Sequence, residues 1–259
     1  MKQLSLWSVV AIGLSSCAFF RPVEQEVELA EVPVEVSAIA ERPVYQASET
    51  RVNDIIHTQL NVRFDWTKQY LHGDAAITIQ PYFHPVDELV LDAKGFDIHG
   101  VWMQTKNGNE ELQYEYDGWF LTVALDRTYD RTEQYTVVVE YTAKPNELKS
   151  KGGSQAISGD KGLYFINPLG EEANKMPQIW TQGETEASSC WYPTIDAPNE
   201  RMTQEIYMTV DNKYRTLSNG VLVYSKLNPN GTRTDYWKQS KPHAPYLTMM
   251  AVGEFVKVE

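Results

Sequence analysis

Leu60-Asn61-Val62-Arg63-Phe64-Asp65-Trp66 alternates apolar with polar side chains at every step, and that period of two decides the fold class. Successive side chains of an extended chain point to opposite faces, so such a segment makes a half-buried strand and not a one-sided helix. The same alternation returns at Ala75/Ile77/Ile79, Trp119/Leu121/Val123/Leu125, Tyr135/Val137/Val139/Tyr141 and Ile206/Met208/Val210. Between these segments stand Lys106-Asn107-Gly108-Asn109, Asp117-Gly118, Ser218-Asn219-Gly220 and Asn228-Pro229-Asn230-Gly231, whose Asn and Gly accept the positive φ of tight hairpin turns. No stretch of about 12 residues keeps a 3.6-residue apolar stripe, so helices should be few and short. The pattern predicts an all-β fold, an antiparallel sandwich or saddle of sheets.

The 259 residues are 42% hydrophobic and 12% aromatic, enough for a packed core in one large domain. A net charge of −12, from 35 acidic against 23 basic residues, argues against nucleic acid as a partner and fits a cationic ligand or simple solubility. Met1-Lys2-Gln3 and the apolar run from Leu4 to Leu14 read as a secretion signal, too short to span a membrane. The run ends in Leu14-Ser15-Ser16-Cys17, which resembles the lipobox of bacterial lipoproteins. Residues 1–17 are therefore read as a lipoprotein signal peptide and Cys17 as the lipidation site, with several acyl chains giving stable anchoring. An ordinary signal peptide with a coincidental Cys is the competing reading.

Residues 18–47 are acidic and punctuated by Pro33 and Pro43, and they read as an extended tether; the Val-Glu repeats within them leave an edge strand as the alternative. Residues 48–259 form the β domain. A chain so organised is secreted and lipid-anchored to the bacterial cell envelope, on its periplasmic or cell-surface side. Cys17 and Cys190 are the only cysteines, which excludes a disulfide-stapled fold. The stretch from Lys144 to Gly162 holds glycines but no G-x-x-x-x-G-K-[ST] spacing, and reads as a surface loop.

Candidate chemistry narrows quickly. His57, His72, His84, His99 and His243 are scattered, none opens an H-E-x-x-H, and no two stand at i and i+4, so a two-His zinc face cannot be built and no protein-bound metal is expected. His57 and His99 read as structural strand residues, His84 and His243 as turn residues beside Pro85 and Pro242. There is no G-x-S-x-G, and Cys190, within Ser188-Ser189-Cys190-Trp191-Tyr192-Pro193, reads as a small buried residue in an aromatic patch and not as a nucleophile. No catalytic residue is assigned to this chain.

One stretch carries more: Thr181-Gln182-Gly183-Glu184, then Tyr192-Pro193, Asp196 and Pro198, Arg201, and Leu217-Ser218-Asn219-Gly220. In order and spacing these segments resemble the N-terminal domain of the aminopeptidase N family, zinc metallopeptidases of M1 type, with T-Q-x-[EQ], aromatic-Pro, Asp-x-Pro, a basic residue and L-S-N-G. The resemblance extends from Thr50 to Glu259, through Gly162-Leu163-Tyr164-Phe165 and a closing strand from Tyr246-Leu247 to Val252-Gly253. It departs where the family often has Ala-Arg, here Ser188-Ser189, and Pro-Cys, here Pro193-Thr194. The family's later G-A-M-E-N and H-E-x-x-H segments are not in this chain.

The resemblance implies that Glu184 reaches into a cleft and holds the α-ammonium of a peptide substrate, while Gln182 lines the pocket for its first side chain. It implies zinc in the parent enzyme, bound by a C-terminal catalytic domain whose ligands are not in this chain, so that this fragment alone is inactive. Glu186 is left as a surface charge, Asp196 as a turn residue accepting backbone hydrogen bonds, and Arg201 as the partner of a carboxylate. The alternative is a stand-alone β-sandwich lipoprotein that binds carbohydrate or protein without catalysis, for which 7 Trp and 15 Tyr would form an exposed stacking platform. Trp66 and Trp119, on the apolar sides of their segments, favour core positions instead.

Overall fold

The structure is a computed structural model in which residues 50–148 and 161–256 are described. The signal peptide, Cys17, the tether and most of the loop after Lys144 lie outside the described residues. Before that loop come β1 (Asn53–Asp65), β2 (Tyr70–Pro81), β3 (Val86–Asp92), β4 (Phe96–Thr105), β5 (Gly108–Glu111), β6 (Tyr114–Tyr116), β7 (Phe120–Tyr129) and β8 (Tyr135–Ala143). After it come β9 (Leu163–Ile166), β10 (Gln178–Thr181), β11 (Met202–Asp211), β12 (Arg215–Ser218), β13 (Val221–Leu227), β14 (Thr232–His243) and β15 (Met250–Gly253). The helices among the described residues are single 3-10 turns at Pro145–Glu147, Ser188–Cys190 and Pro245–Leu247.

These strands make an all-β fold of three sheets. The largest has eight strands in the order β13-β14-β11-β1-β2-β8-β4-β5, the second has four in the order β12-β15-β10-β9, and the third has three in the order β3-β7-β6. Pairing is antiparallel except between β1 and β11, which run parallel from His57↔Thr203 to Arg63↔Thr209. Alternation cannot foretell that junction, because period two is common to parallel and antiparallel strands.

Register explains the core. Ile206, Leu60, Ala75, Val139 and Val101 stand side by side across β11, β1, β2, β8 and β4, and all five are buried. Their in-strand neighbours Asn61, Ala76, Val138 and Trp102 keep some exposure, so the large sheet buries a single face. Leu89, Leu91, Leu121 and Val123 of the three-stranded sheet join the same core, as do Leu163, Ile179, Met250 and Val252 of the four-stranded sheet. Both small sheets thus cover the one apolar face. A bulge between Ile55 and His57 shifts β1 by one residue, which moves its buried set from Asn53 and Ile55 to Thr58, Leu60 and Val62.

Two polar clamps hold the layers. Buried Glu200, in the loop before β11, accepts from Arg51 Nη2 at 2.8 Å and from the Ile55 N–H at 3.0 Å, which fixes the start of β1. Arg233 of β14 grips buried Asp235 through Nε at 2.7 Å and Nη2 at 2.8 Å, and Thr216 Oγ1 of β12 donates to the same carboxylate at 2.7 Å, so the large sheet is tied to the four-stranded one. Burying such a pair is itself costly, but removing one partner costs more, because it leaves a buried charge uncompensated.

Three local expectations are corrected. Trp119 sits in the bend before β7, half-buried, because Asp117-Gly118 turns the chain there. His243 ends β14 as a buried residue and not a surface turn, its Nδ1 hydrogen-bonded to the Ala244 carbonyl at 3.1 Å. Tyr246-Leu247 falls in a 3-10 turn led by Pro245, and the closing strand starts only at Met250.

Gly73 of β2 lies opposite Tyr141 of β8, and a Cβ on it would stand 2.5 Å from the Tyr141 ring, which is wholly buried and has nowhere to move. Gly73→Ala is expected to cost about 1–3 kcal/mol in urea unfolding; an unchanged midpoint would show that the ring is not confined.

Candidate functional site

The four-stranded sheet carries the candidate site at one end of β10. Ile179 is buried and Trp180 exposed, Gly183 buried and Glu184 exposed, with Gln182 partly exposed between them. The Gln182 N–H donates to the Gly162 carbonyl at 2.9 Å, continuing the β9–β10 ladder one residue past the strand. Period two therefore carries Trp180 and Gln182 on one side of the sheet, leading to Glu184 on the turn beyond. Trp180 stacks on Tyr164 of β9 at 4.8 Å between centroids.

The turn is held on both flanks. A Cβ at Gly183 would lie 2.3 Å from the Tyr246 carbonyl oxygen, and one at Gly162, where φ is +66°, would lie 1.9 Å from the Ala187 oxygen. Only glycine admits such approaches. Ala187 N–H donates back to the Gly183 carbonyl at 2.9 Å and closes the loop around Glu184, Thr185 and Glu186. Beyond it, Ser188 Oγ donates to the Pro245 carbonyl at 2.8 Å. Ser189 gives both its N–H and its Oγ to Asp196 Oδ2, at 2.8 and 2.7 Å.

Lys94 closes the flank from the end of β3. Its N–H donates to the Ser189 carbonyl at 2.8 Å and its Nζ to the Glu186 carbonyl at 2.5 Å. No sequence motif marks Lys94, which is 92 residues away along the chain. Glu186 is exposed, and its part in the contact is its backbone oxygen. Under this surface Cys190, Trp191 and Tyr192 are buried, and the Tyr192 hydroxyl meets Thr248 Oγ1 at 3.1 Å.

Asp196 is 6% exposed. Burial pushes its carboxyl up to about 6, against the bonds from Ser189 and the charge of Lys94, which favour the anion. Among the described residues the Arg201 side chain makes no ion pair: its Nη1 donates to the backbone oxygens of Pro198 and Glu200, while Arg51 holds the Glu200 carboxylate.

The histidines are held by hydroxyls and backbone. His57 Nδ1 is hydrogen-bonded to Thr203 Oγ1 at 2.8 Å, and His72 Nδ1 and His99 Nε2 share Thr142 Oγ1 at 2.9 and 2.8 Å. Among the described residues no group of three or more His, Cys, Asp and Glu has the arrangement to hold a metal ion. These residues do not fit a zinc site.

The family model described as the peptidase M1 N-terminal domain matches residues 54–247, which include the whole Glu184 turn and its flanks. The chain belongs to the peptidase M1 N-terminal domain family. Similar folds occur in a variant of a two-domain M1 zinc metallopeptidase bound to L-tryptophan (20% identity, TM-score 0.66, covering 81% of this chain and 44% of that one). An M1 zinc metallopeptidase from Deinococcus radiodurans is also similar (18%, 0.64, 78% and 42%), as is native leukotriene A4 hydrolase from Saccharomyces cerevisiae (15%, 0.60, 80% and 30%). The chain thus spans less than half the length of these relatives. The full-length M1 relatives are zinc metallopeptidases, and this M1 N-terminal domain corresponds to only part of them.

The Asp196 carboxyl, normally near 3.8, holds its proton more tightly when folded, so its contribution to stability is largest in acid and is lost as pH rises through about 6. Compared with Asp196→Asn, the wild-type chain should lose up to about 3 kcal/mol of relative stability between about pH 4 and 7. A difference independent of pH, in paired denaturant titrations, would contradict the raised value.

Proposed function

We propose that this chain is the substrate-anchoring part of a secreted zinc aminopeptidase, with Glu184 receiving the free α-ammonium of a peptide and Gln182 facing its first side chain. The observation that carries this reading is the Glu184 turn itself: an exposed carboxylate at the end of a sheet, on a loop braced by Gly162, Gly183, Ser188, Ser189 and Lys94. A surface charge with no task needs no such bracing. A preorganised carboxylate, in contrast, gains affinity for an ammonium because neither its loop nor its partner has to be ordered on binding. Each charge-assisted bond to that ammonium is worth roughly 1.5–3 kcal/mol.

Cleavage itself belongs to a second part of the polypeptide, the zinc-bearing domain that the longer relatives contain. An exposed apolar strand supports such a neighbour. β13 is an edge strand whose residues are all exposed, with Val221, Leu222, Val223, Tyr224 and Leu227 among them. An uncovered apolar edge of this kind marks a contact surface. By the same division of labour, this chain alone leaves aminoacyl-anilides intact, with or without added zinc.

Lipid anchoring through Cys17 at the periplasmic or cell-surface side belongs to the same proposal and rests on Leu14-Ser15-Ser16-Cys17. Among the described residues no helix is long and apolar enough to cross a membrane. The carbohydrate-binding alternative finds little support, since the exposed aromatics are dispersed: Tyr82 and Phe83 in the β2–β3 connection, Tyr114 and Phe120 on the three-stranded sheet, Trp180 on the four-stranded sheet, and Tyr224 on β13. Trp66 packs between Tyr214 and Phe165 instead.

In the polypeptide that joins this chain to its zinc domain, Glu184→Gln should lower kcat/KM for peptides with a free N-terminus by roughly 10- to 100-fold while zinc content stays constant. Wild-type kinetics in that variant would remove Glu184 from substrate binding.

A further inference from the structure

We propose that Asp196 is the positioning residue of the Glu184 turn, fixing it through Ser189 to the end of β3. Its purpose rests on the anchoring role assigned to Glu184, whereas its mechanical part stands on hydrogen bonds alone. The motif comparison leaves Asp196 as a turn residue; its contacts give it a longer reach.

The connection is continuous. Asp92, the last residue of β3, exchanges backbone bonds with Thr194, its N–H donating to the Thr194 carbonyl at 2.7 Å and its carbonyl accepting from the Thr194 N–H at 3.1 Å. Asp92 Oδ2 also accepts the Asp196 N–H at 2.8 Å, so the backbone of Asp196 is seated on the three-stranded sheet. From that seat Asp196 Oδ2 takes both donors of Ser189, and Lys94, two residues beyond β3, takes the Ser189 and Glu186 carbonyls. Glu184 is therefore suspended between two sheets. On its leading side the Gln182 N–H bonds the Gly162 carbonyl at the edge of the four-stranded sheet, and on its trailing side Asp92, Lys94 and Asp196 hold it to the three-stranded one.

Chemistry distinguishes this arrangement from a simple turn. One neutral oxygen would satisfy one backbone N–H, yet a buried carboxylate is kept here and both of its contacts go to a single residue. Burial disfavours the anion, and the two Ser189 donors and Lys94 offset only part of that cost. The charged and titratable groups facing Asp196 are Asp92, Lys94 and the Tyr192 hydroxyl. An asparagine keeps the volume and can accept both Ser189 bonds on its amide oxygen, but these become neutral bonds, roughly half as strong, and the attraction to Lys94 is lost.

The test compares the isotopically labelled chain with its Asp196→Asn, Ser189→Ala and Glu184→Gln variants, reading amide exchange at pH 7 and amide shifts from pH 5 to 8. In Asp196→Asn, exchange at Ala187 and Ser189, whose N–H groups bond Gly183 and Asp196, should rise about tenfold or more while the amides of β1, β8 and β11 stay within about twofold of wild type. In the wild-type chain the shifts of those turn amides should inflect near pH 6, and in Asp196→Asn that inflection should vanish. Unchanged exchange in the turn, or an equal rise throughout the sheets, overturns the proposal, because the second is what a merely structural residue gives.

Should Asp196→Asn fail to fold, Ser189→Ala decides: faster exchange at Ala187 with the sheets unchanged supports the proposal and wild-type exchange there refutes it. Glu184→Gln should keep the wild-type exchange pattern, so peptide affinity in that variant judges anchoring separately. Positioning by Asp196 survives a failure of the anchoring role, and anchoring survives a failure of positioning.

Discussion

Everything in this molecule follows from one constraint: an eight-stranded sheet with a single apolar face cannot leave that face in water. The row Ile206, Leu60, Ala75, Val139 and Val101 runs unbroken across five strands, and two smaller sheets are laid over it. At about 25 cal/mol per Å² of apolar surface, covering such a face is the largest favourable contribution available to a chain of this size. The places where the two covering sheets meet loops from the large one are set by that packing. The Glu184 turn is such a place, braced from the four-stranded sheet on one side and from the end of β3 on the other.

The division between rigid frame and exposed tip is the functional argument in physical form. Turn residues Glu184, Thr185 and Glu186 are exposed, while Gly183, Ala187, Ser188 and Ser189 on their flanks are buried. Side chains at the tip are free to meet another molecule, whereas their backbone has few ways to move. Rigid support beneath a solvent-facing charge is what a binding group requires, since the ordering cost is met when the chain folds and not when the ligand arrives. The apolar edge at β13 is a surface on which the proposed second body of the polypeptide could rest, in keeping with similar metallopeptidases of which this chain covers less than half.

Sequence reading captured what is periodic and missed what is distant. The segments at Ala75, Tyr135 and Ile206 were legible because a strand with one wet face writes its burial directly into alternate residues. The parallel contact of β1 with β11 was not, since nothing local distinguishes the two directions. Trp119 shows the limit of counting alternation into a turn. The T-Q-x-[EQ] resemblance singles out Gln182 and Glu184, which follow the end of β10, Gln182 partly exposed and Glu184 exposed. Lys94 had no sequence signal, because its value lies in a contact made across two sheets. Arg201 was expected to meet a carboxylate, but among the described residues its side chain reaches backbone oxygens, and the neighbouring Glu200 carboxylate is held by Arg51.

The most direct measurement is a crystal structure of the polypeptide that joins this domain to its zinc-bearing half, with an amino acid or peptide bound. Anchoring requires a Glu184 carboxylate oxygen about 2.7–2.9 Å from the ligand's α-nitrogen, with the turn unmoved from its unliganded position. A ligand whose ammonium is held elsewhere, with Glu184 facing open solvent, would contradict the account.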